Sequence, residues 1–236
     1  GAYNKIANLS ETAARRGVIC ASAGNHAQGV ALAAKRRGIR AVIVMPRTTP
    51  SIKVQAVVDL GGEAVLHGDD YDAAYEHALE LMRAQNLVFV HPFDDPYIIA
   101  GQGTLALEML EAAPNLDTLI VPVGGGGLIS GCAVAAKAIK PGIEVVGVES
   151  ATFPAMAQRL RGEPVNVGTE TSAEGLAVRD IGEMTFAIAK MTKIPIPRAP
   201  TTAGTLRAMT PFAIHRTKTE MPMPIPRMCS GKISER

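Results

Sequence analysis

The sequence predicts an α/β protein built on open parallel sheets. Three observations predict it. Short, continuously apolar runs alternate with longer segments of helical periodicity, as they do where helices cover both faces of a parallel sheet. Glycine or proline punctuates the expected helix ends, at Gly38, Gly61-Gly62 and Pro141-Gly142. Two turns of small residues follow directly on apolar runs and open helical stretches, at 22–29 and 124–128.

In chain order, Gly1-Ala2-Tyr3 begins directly in a helical pattern. Strands are then expected at Val18–Ala21, Ala41–Met45, Ala64–His67, Leu87–Val90, Leu119–Val123 and Val145–Val148. Helices are expected near Ala27–Arg37, Ile52–Leu60, Tyr71–Ala84, Gly103–Ala113 and Gly131–Ile139. The prolines and carboxylates of His91-Pro92-Phe93-Asp94-Asp95-Pro96 interrupt the periodicity and mark a domain boundary. The expected division is a smaller α/β domain over 1–92, part of a larger α/β domain over 93–191, and an atypical tail over 192–236. From Lys193 onward, Pro195, Pro197, Pro200, Pro211, Pro222, Pro224 and Pro226 oppose both regular helix and central strand, so no chemistry is assigned there.

At 236 residues, 47% apolar and 19% charged, the chain has the composition of a globular protein with material for a good core. A net charge of +2, 4% aromatics and no basic run argue against a nucleic-acid surface. No apolar stretch approaches the roughly 18 residues of a membrane span, and no signal-peptide pattern opens the chain. Cys20, Cys132 and Cys229 lack disulfide or zinc spacing; Cys20 and Cys132 read as buried small hydrophobes, which fits a reducing cytoplasm.

The two turns carry the chemistry. Ser22-Ala23-Gly24-Asn25-His26-Ala27-Gln28-Gly29 joins a strand to a helix, where bare backbone N–H groups and the helix dipole form an anion pocket. Asn25 reads either as a ligand donor or as a helix cap, and His26 either as a ligand donor or as a satisfied polar residue. Gly124-Gly125-Gly126-Gly127-Leu128 repeats the arrangement, as a phosphate nest or as a tight structural turn. It is not a P-loop, because no Gly-Lys-Ser/Thr follows, and it fails the dinucleotide-binding glycine spacing. In open α/β sheets ligands bind beyond the carboxyl ends of strands, so the two turns are expected to face one another across an interdomain cleft.

These residues carry a resemblance. The run Ser-Ala-Gly-Asn-His-Ala-Gln-Gly-Val-Ala from Ser22, Val-Ile-Val-Met-Pro from Val42, Ile-Ala-Gly-Gln-Gly-Thr at 99–104 and Val-Pro-Val-Gly-Gly-Gly-Gly-Leu at 121–128 are similar to threonine ammonia-lyase, also called threonine dehydratase. The biosynthetic, isoleucine-pathway branch of these fold type II pyridoxal-phosphate enzymes resembles the chain best. The similarity extends through Ala173-Glu174-Gly175-Leu176-Ala177-Val178 and Ile181-Gly182-Glu183. It implies two open α/β domains with the cofactor cleft between them, and deamination of L-threonine to 2-oxobutanoate and ammonia. By the same resemblance Gly124, Gly125, Gly126, Gly127 and Leu128 hold the phosphate of pyridoxal 5′-phosphate, and Asn25 meets its 3′-oxygen. Ser22, Ala23, Gly24 and His26 grip the substrate carboxylate.

Departures from the family pattern add further expectations. Serine racemases carry a serine acid/base at position 23, and Ala23 here favours dehydration. The divalent-cation site of some relatives matches Glu149 but not Phe153 or Ala155, so no metal is expected. In the family the Schiff-base lysine lies in a Ser-Phe-Lys-x-Arg-Gly-Ala run, and Gly1-Ala2 matches its end. The lysine would precede Gly1, so no catalytic residue is visible and little turnover is expected of the chain as given. Lys5 belongs to the following helix, and Lys53 is expected to face solvent. The alternatives are a serine dehydratase or racemase of the same fold, and a non-catalytic cofactor or amino-acid binding fragment. The substrate is expected to be a small amino acid, L-threonine with L-serine second, and a homo-oligomer is expected.

Overall fold

The computed structural model describes residues 1–197. Cys229 and the proline-rich tail from residue 198 on lie outside them. The chain order is α1 (Ala2–Ala7), α2 (Glu11–Arg16), β1 (Val18–Ala21), α3 (Asn25–Arg37), β2 (Ala41–Met45), α4 (Ser51–Asp59), β3 (Glu63–Leu66), α5 (Tyr71–Gln85) and β4 (Val88–Phe89). It continues with α6 (Pro96–Ala112), β5 (Thr118–Pro122), α7 (Gly127–Ile139), β6 (Glu144–Val148), α8 (Ala155–Leu160), a 3-10 turn at Glu174–Leu176, and α9 (Glu183–Met191).

Strands β1 to β4 form one parallel sheet in the order β3-β2-β1-β4. Every residue of β1 and β2 is buried, and their alternating side chains feed two separate cores. Val18 and Cys20 of β1 join Ile43 and Met45 of β2 under Ala27, Val30 and Ala34 of α3. Ile19 and Ala21 join Val42 and Val44 over Ala74 and Ala78 of α5. The chain proceeds outward from β1 to β3 and returns to the other side of β1 as β4, so the strand order reverses beside β1. That switch point is where open α/β sheets leave a crevice beyond the strand ends, and the turn after β1 opens there.

Strands β5 and β6 form a second, two-stranded parallel sheet. Leu119 and Val121 of β5 point into a core with Val145, Ile129, Cys132, Ala136 and Met156. The opposite face departs from the expectation of a sheet covered on both sides, since Ile120 is 69% exposed among the described residues. Helices α6 and α7 cross closely over the buried face. A Cβ built on Gly131 would lie 2.2 Å from the Ile99 carbonyl oxygen, so only glycine permits that approach.

Several boundaries differ from the sequence reading for local reasons. Helix α6 starts at Pro96, not near Gly103, because Asp95 caps it, accepting from Tyr97 N (2.8 Å) and Ile98 N (3.2 Å), with proline at the first position. Helices α2, α8 and α9 are short amphipathic pieces that weak periodicity hid. The start of the proline-rich segment is also structured. Ile194 is buried, and the Pro195 carbonyl accepts from Gly147 N (2.9 Å) along β6.

Candidate functional site

The turn after β1 is tied down from both sides. Ser22 N donates to the Val44 carbonyl (3.1 Å), and the Ser22 hydroxyl accepts from Gly24 N (3.2 Å). Ala23 and Gly24 complete the turn, and Gly24 is the residue before helix α3, with no side-chain cap. Asn25 is therefore the first helical residue and not a cap; it is exposed, and its amide is available beside the helix N-terminus. His26 shows its satisfied reading. Its Nε2 sits 2.9 Å from the Val90 carbonyl, and with Nε2 donating there, Nδ1 is left as an acceptor. Burial pushes the imidazole down to about 4, against the opposing hydrogen bond to Val90, so His26 is neutral at pH 7. What this turn offers an anion is thus the backbone of the first helical turn and the Asn25 amide.

The glycine loop after β5 has the same construction. Gly126 has φ +93°, and helix α7 begins at Gly127 with no side-chain cap. Its first intrahelical bond runs from Ser130 N to the Gly126 carbonyl (3.0 Å), so the preceding N–H groups have no helical acceptor. Gly125, Gly126 and Gly127 are buried, while Gly124 and Leu128 are half-buried. Their Cα faces are filled by protein. A Cβ on Gly125 would lie 2.2 Å from the Phe93 ring, and one on Gly126 2.7 Å from Met156 Cε and 2.8 Å from Thr185 Cβ. The loop therefore turns packed Cα atoms toward the core and keeps its polar backbone as the only chemistry it can offer.

The segment expected to be a domain boundary, together with Val90 just before it, touches both turns. The Val90 carbonyl holds His26. His91 Nδ1 accepts from Phe93 N (3.2 Å) and Asp94 N (2.8 Å), folding 91–94 into a tight turn. The Phe93 ring meets His91 edge-on, with centroids 4.7 Å apart, and lies against the glycine loop. Asp94 caps helix α9 by accepting from Glu183 N, Met184 N and Thr185 N at 3.0–3.1 Å. The Thr185 hydroxyl lies 2.7 Å from the Gly125 carbonyl. Phe93, Asp94 and Thr185 were missed from sequence; the Asp-Pro cap signature at 95–96 was the one available sign that this stretch is ordered.

The other side chains named from sequence are placed as follows. Lys5 lies in α1 and pairs with Asp95 (2.6 Å). Lys53 is half-buried and pairs at the surface with Glu174, next to the Gly175 carbonyl that borders Gly124. Glu149 accepts from Met156 N (2.7 Å) and Ala157 N (2.9 Å), and burial holds its carboxyl above the usual range. Phe153 and Ala155 are buried, and among the described residues no group of three or more His, Cys, Asp or Glu could hold a metal. Cys20 and Cys132 are buried free thiols.

The family model described as pyridoxal-phosphate dependent enzyme matches residues 1–203. The chain belongs to that family. This member is 52% identical over 192 residues to L-threonine ammonia-lyase of Thermotoga maritima, covering 80% of the chain and 48% of the relative. It is 49% identical over 190 residues to the biosynthetic L-threonine dehydratase of Escherichia coli, covering 80% of the chain and 37% of the relative. It therefore spans less than half the length of these curated relatives. Among solved structures it resembles threonine deaminase isoform 2 of Solanum lycopersicum, with TM-score 0.76, 46% identity, and 80% and 53% of the two chains covered. It also resembles maize serine racemase, with TM-score 0.78, 38% identity, and 83% and 60% covered. The fold is that of fold type II pyridoxal-phosphate enzymes, and the cofactor of the family is pyridoxal 5′-phosphate.

Proposed function

We propose that this chain forms the cofactor and substrate pockets of a threonine ammonia-lyase, which converts L-threonine to 2-oxobutanoate and ammonia. The observation that carries the reading is the glycine loop, with a buried, uncapped helix N-terminus whose Cα faces are packed by Phe93, Met156 and Thr185. Those residues fit a phosphate, because convergent N–H groups and the positive end of α7 complement an anion that no protein side chain supplies. The backbone of Gly124, Gly125, Gly126, Gly127 and Leu128 would hold the phosphate, and the Asn25 amide would donate to the 3′-oxygen. When bound, the cofactor supplies an electron sink for charge that develops at the substrate Cα.

The chain's own residues would do the rest by binding and orientation. The backbone of Ser22 to His26, opening helix α3, would hold the substrate carboxylate. Ala23 presents a methyl group and moves no proton, which supports elimination over racemisation. Neutral His26 adds no cation to this pocket and holds the turn against Val90. Identity near 50% to relatives named as threonine ammonia-lyase and threonine dehydratase supports threonine as substrate, with serine second. The buried thiols of Cys20 and Cys132 support a reducing, cytoplasmic setting. No helix among the described residues is long and apolar enough to cross a membrane. The exposed Leu105, Leu107 and Met109 of α6 support self-association.

The test is equilibrium dialysis of the chain against pyridoxal 5′-phosphate and against pyridoxal, followed by absorbance of the cofactor. At least tenfold tighter binding of the phosphorylated form is expected, and equal binding of the two would remove the proposal. For the substrate, a holoenzyme containing this sequence should release more 2-oxobutanoate from L-threonine than pyruvate from L-serine.

A further inference from the structure

The glycine loop is held in shape from behind by a relay that begins at Asp94. In a planar trans peptide the carbonyl of one residue and the N–H of the next point in opposite directions. Whatever fixes the Gly125 carbonyl therefore aims the Gly126 N–H. The Gly125 carbonyl accepts from the buried Thr185 hydroxyl (2.7 Å), whose single proton has the Gly182 carbonyl as a second, longer acceptor (3.0 Å), and from Gly182 N (3.4 Å), all at the start of α9. The Gly126 N–H is thereby directed away from α9. Thr185 also grips the other side of the loop, since its carbonyl accepts from the buried Ser130 hydroxyl (3.3 Å) in the first turn of α7.

Thr185 is itself placed by Asp94. The Asp94 carboxylate takes three backbone N–H groups of α9, from Glu183, Met184 and Thr185. Gly182 admits it closely, because a Cβ there would lie 2.2 Å from Asp94 Oδ1. The residue before Asp94 is Phe93, whose ring packs on Gly125 and whose backbone packs on Gly127. One short turn thus sets both walls of the loop, apolar through Phe93 and polar through Asp94 and Thr185.

We propose that Asp94 and Thr185 are positioning residues that set the phosphate affinity of the glycine loop by fixing the Gly125–Gly126 peptide. Each acts through that peptide rather than by donating to the phosphate itself. The inference rests on the loop being the phosphate site, as argued above. An alternative in which Thr185 merely fills space predicts that a methyl in place of its hydroxyl changes nothing specific to phosphate.

The experiment compares wild type, Thr185→Val, Thr185→Ser and Asp94→Asn for binding of pyridoxal 5′-phosphate and of pyridoxal by equilibrium dialysis. Losing one buried hydrogen bond that orients a donor is expected to weaken pyridoxal 5′-phosphate about tenfold in Thr185→Val. Pyridoxal, which lacks the phosphate, should stay within about twofold of wild type. Thr185→Ser keeps the hydroxyl and should bind like wild type. Asp94→Asn keeps the volume but replaces one acceptor, so it should lose phosphate-dependent affinity in the same direction, and it carries the test if Thr185→Val does not fold. Unchanged pyridoxal 5′-phosphate binding in Thr185→Val and Asp94→Asn would overturn the proposal. Equal losses for pyridoxal and pyridoxal 5′-phosphate would also overturn it, as damage to the fold. Wild type that does not distinguish the two compounds would instead overturn the phosphate site itself, and this inference with it.

Discussion

At the scale of single residues, the site is defined more by what its atoms cannot do than by reactive side chains. Gly126 must carry φ +93° while Met156 and Thr185 close over its Cα, so backbone conformation and packing both demand glycine. Gly126→Ala combines a left-handed alanine, about 1–2 kcal/mol, with overpacking of about 1–3 kcal/mol. A loss near 3 kcal/mol is expected in denaturant unfolding, with phosphate-dependent cofactor binding abolished; a variant as stable as wild type would show that the loop adapts. His26 teaches the opposite lesson. Its place beside a helix N-terminus suggested an anion donor, and only the position of the Val90 carbonyl reveals where its Nε2 donor goes.

At the scale of elements, helix starts organise the molecule. Asp94 and Asp95 are consecutive carboxylates that cap different helices, α9 and α6. Asp95 also meets Lys5 from α1, with both side chains less than a fifth exposed, so it ties α1 to the start of α6. Asp95→Ala removes a cap and strands a mostly buried ammonium, with an expected cost of about 2–3 kcal/mol in unfolding free energy. Asp95→Asn, which retains a capping oxygen, should recover about 1 kcal/mol of that. Equal losses in the two variants would mean that the cap contributes nothing. Helices α3 and α7 lack side-chain caps, as α1 and α4 also do, so a missing cap points to a ligand only where a turn of small residues precedes the helix.

At the scale of the whole molecule, stability should depend on pH through groups kept neutral by burial. Burial pushes His26 in the folded chain down to about 4 from an ordinary 6.5, with His91 and the Gly1 amino group acting in the same direction. Its stabilisation is complete above pH 6.5 and is lost as pH falls toward 4, because the unfolded chain binds the proton more readily. His91 is also held below its ordinary value by burial, opposed by Asp94 and Asp95, and acts in the same direction. Glu149, held above the usual carboxylate range, acts in the opposite direction over the upper part of the acidic window. The urea midpoint is expected to fall between pH 6.5 and 4.5, and His26→Gln should flatten that fall. A wild-type midpoint that is level across this interval would contradict the burial argument.

The sequence by itself determined the architecture and the two turns that make up the candidate site. Strands such as 18–21 and 41–45 are continuously apolar because both faces are covered, so their positions could be read to the residue. The two small-residue turns were legible because runs of glycine and other small residues directly after an apolar strand stand out from the alternating pattern. Strand β4 reduced to two residues, and helices α2, α8 and α9 were not foreseen, because short elements take their stability from packing more than from pattern. Only the tertiary structure decided which side chains support the site. Asp94 and Thr185 are 91 positions apart, and Thr185 reaches Gly125 across 60. No local periodicity records such pairings, since they arise when separately folded turns and helix ends come to share hydrogen-bonding groups withdrawn from water.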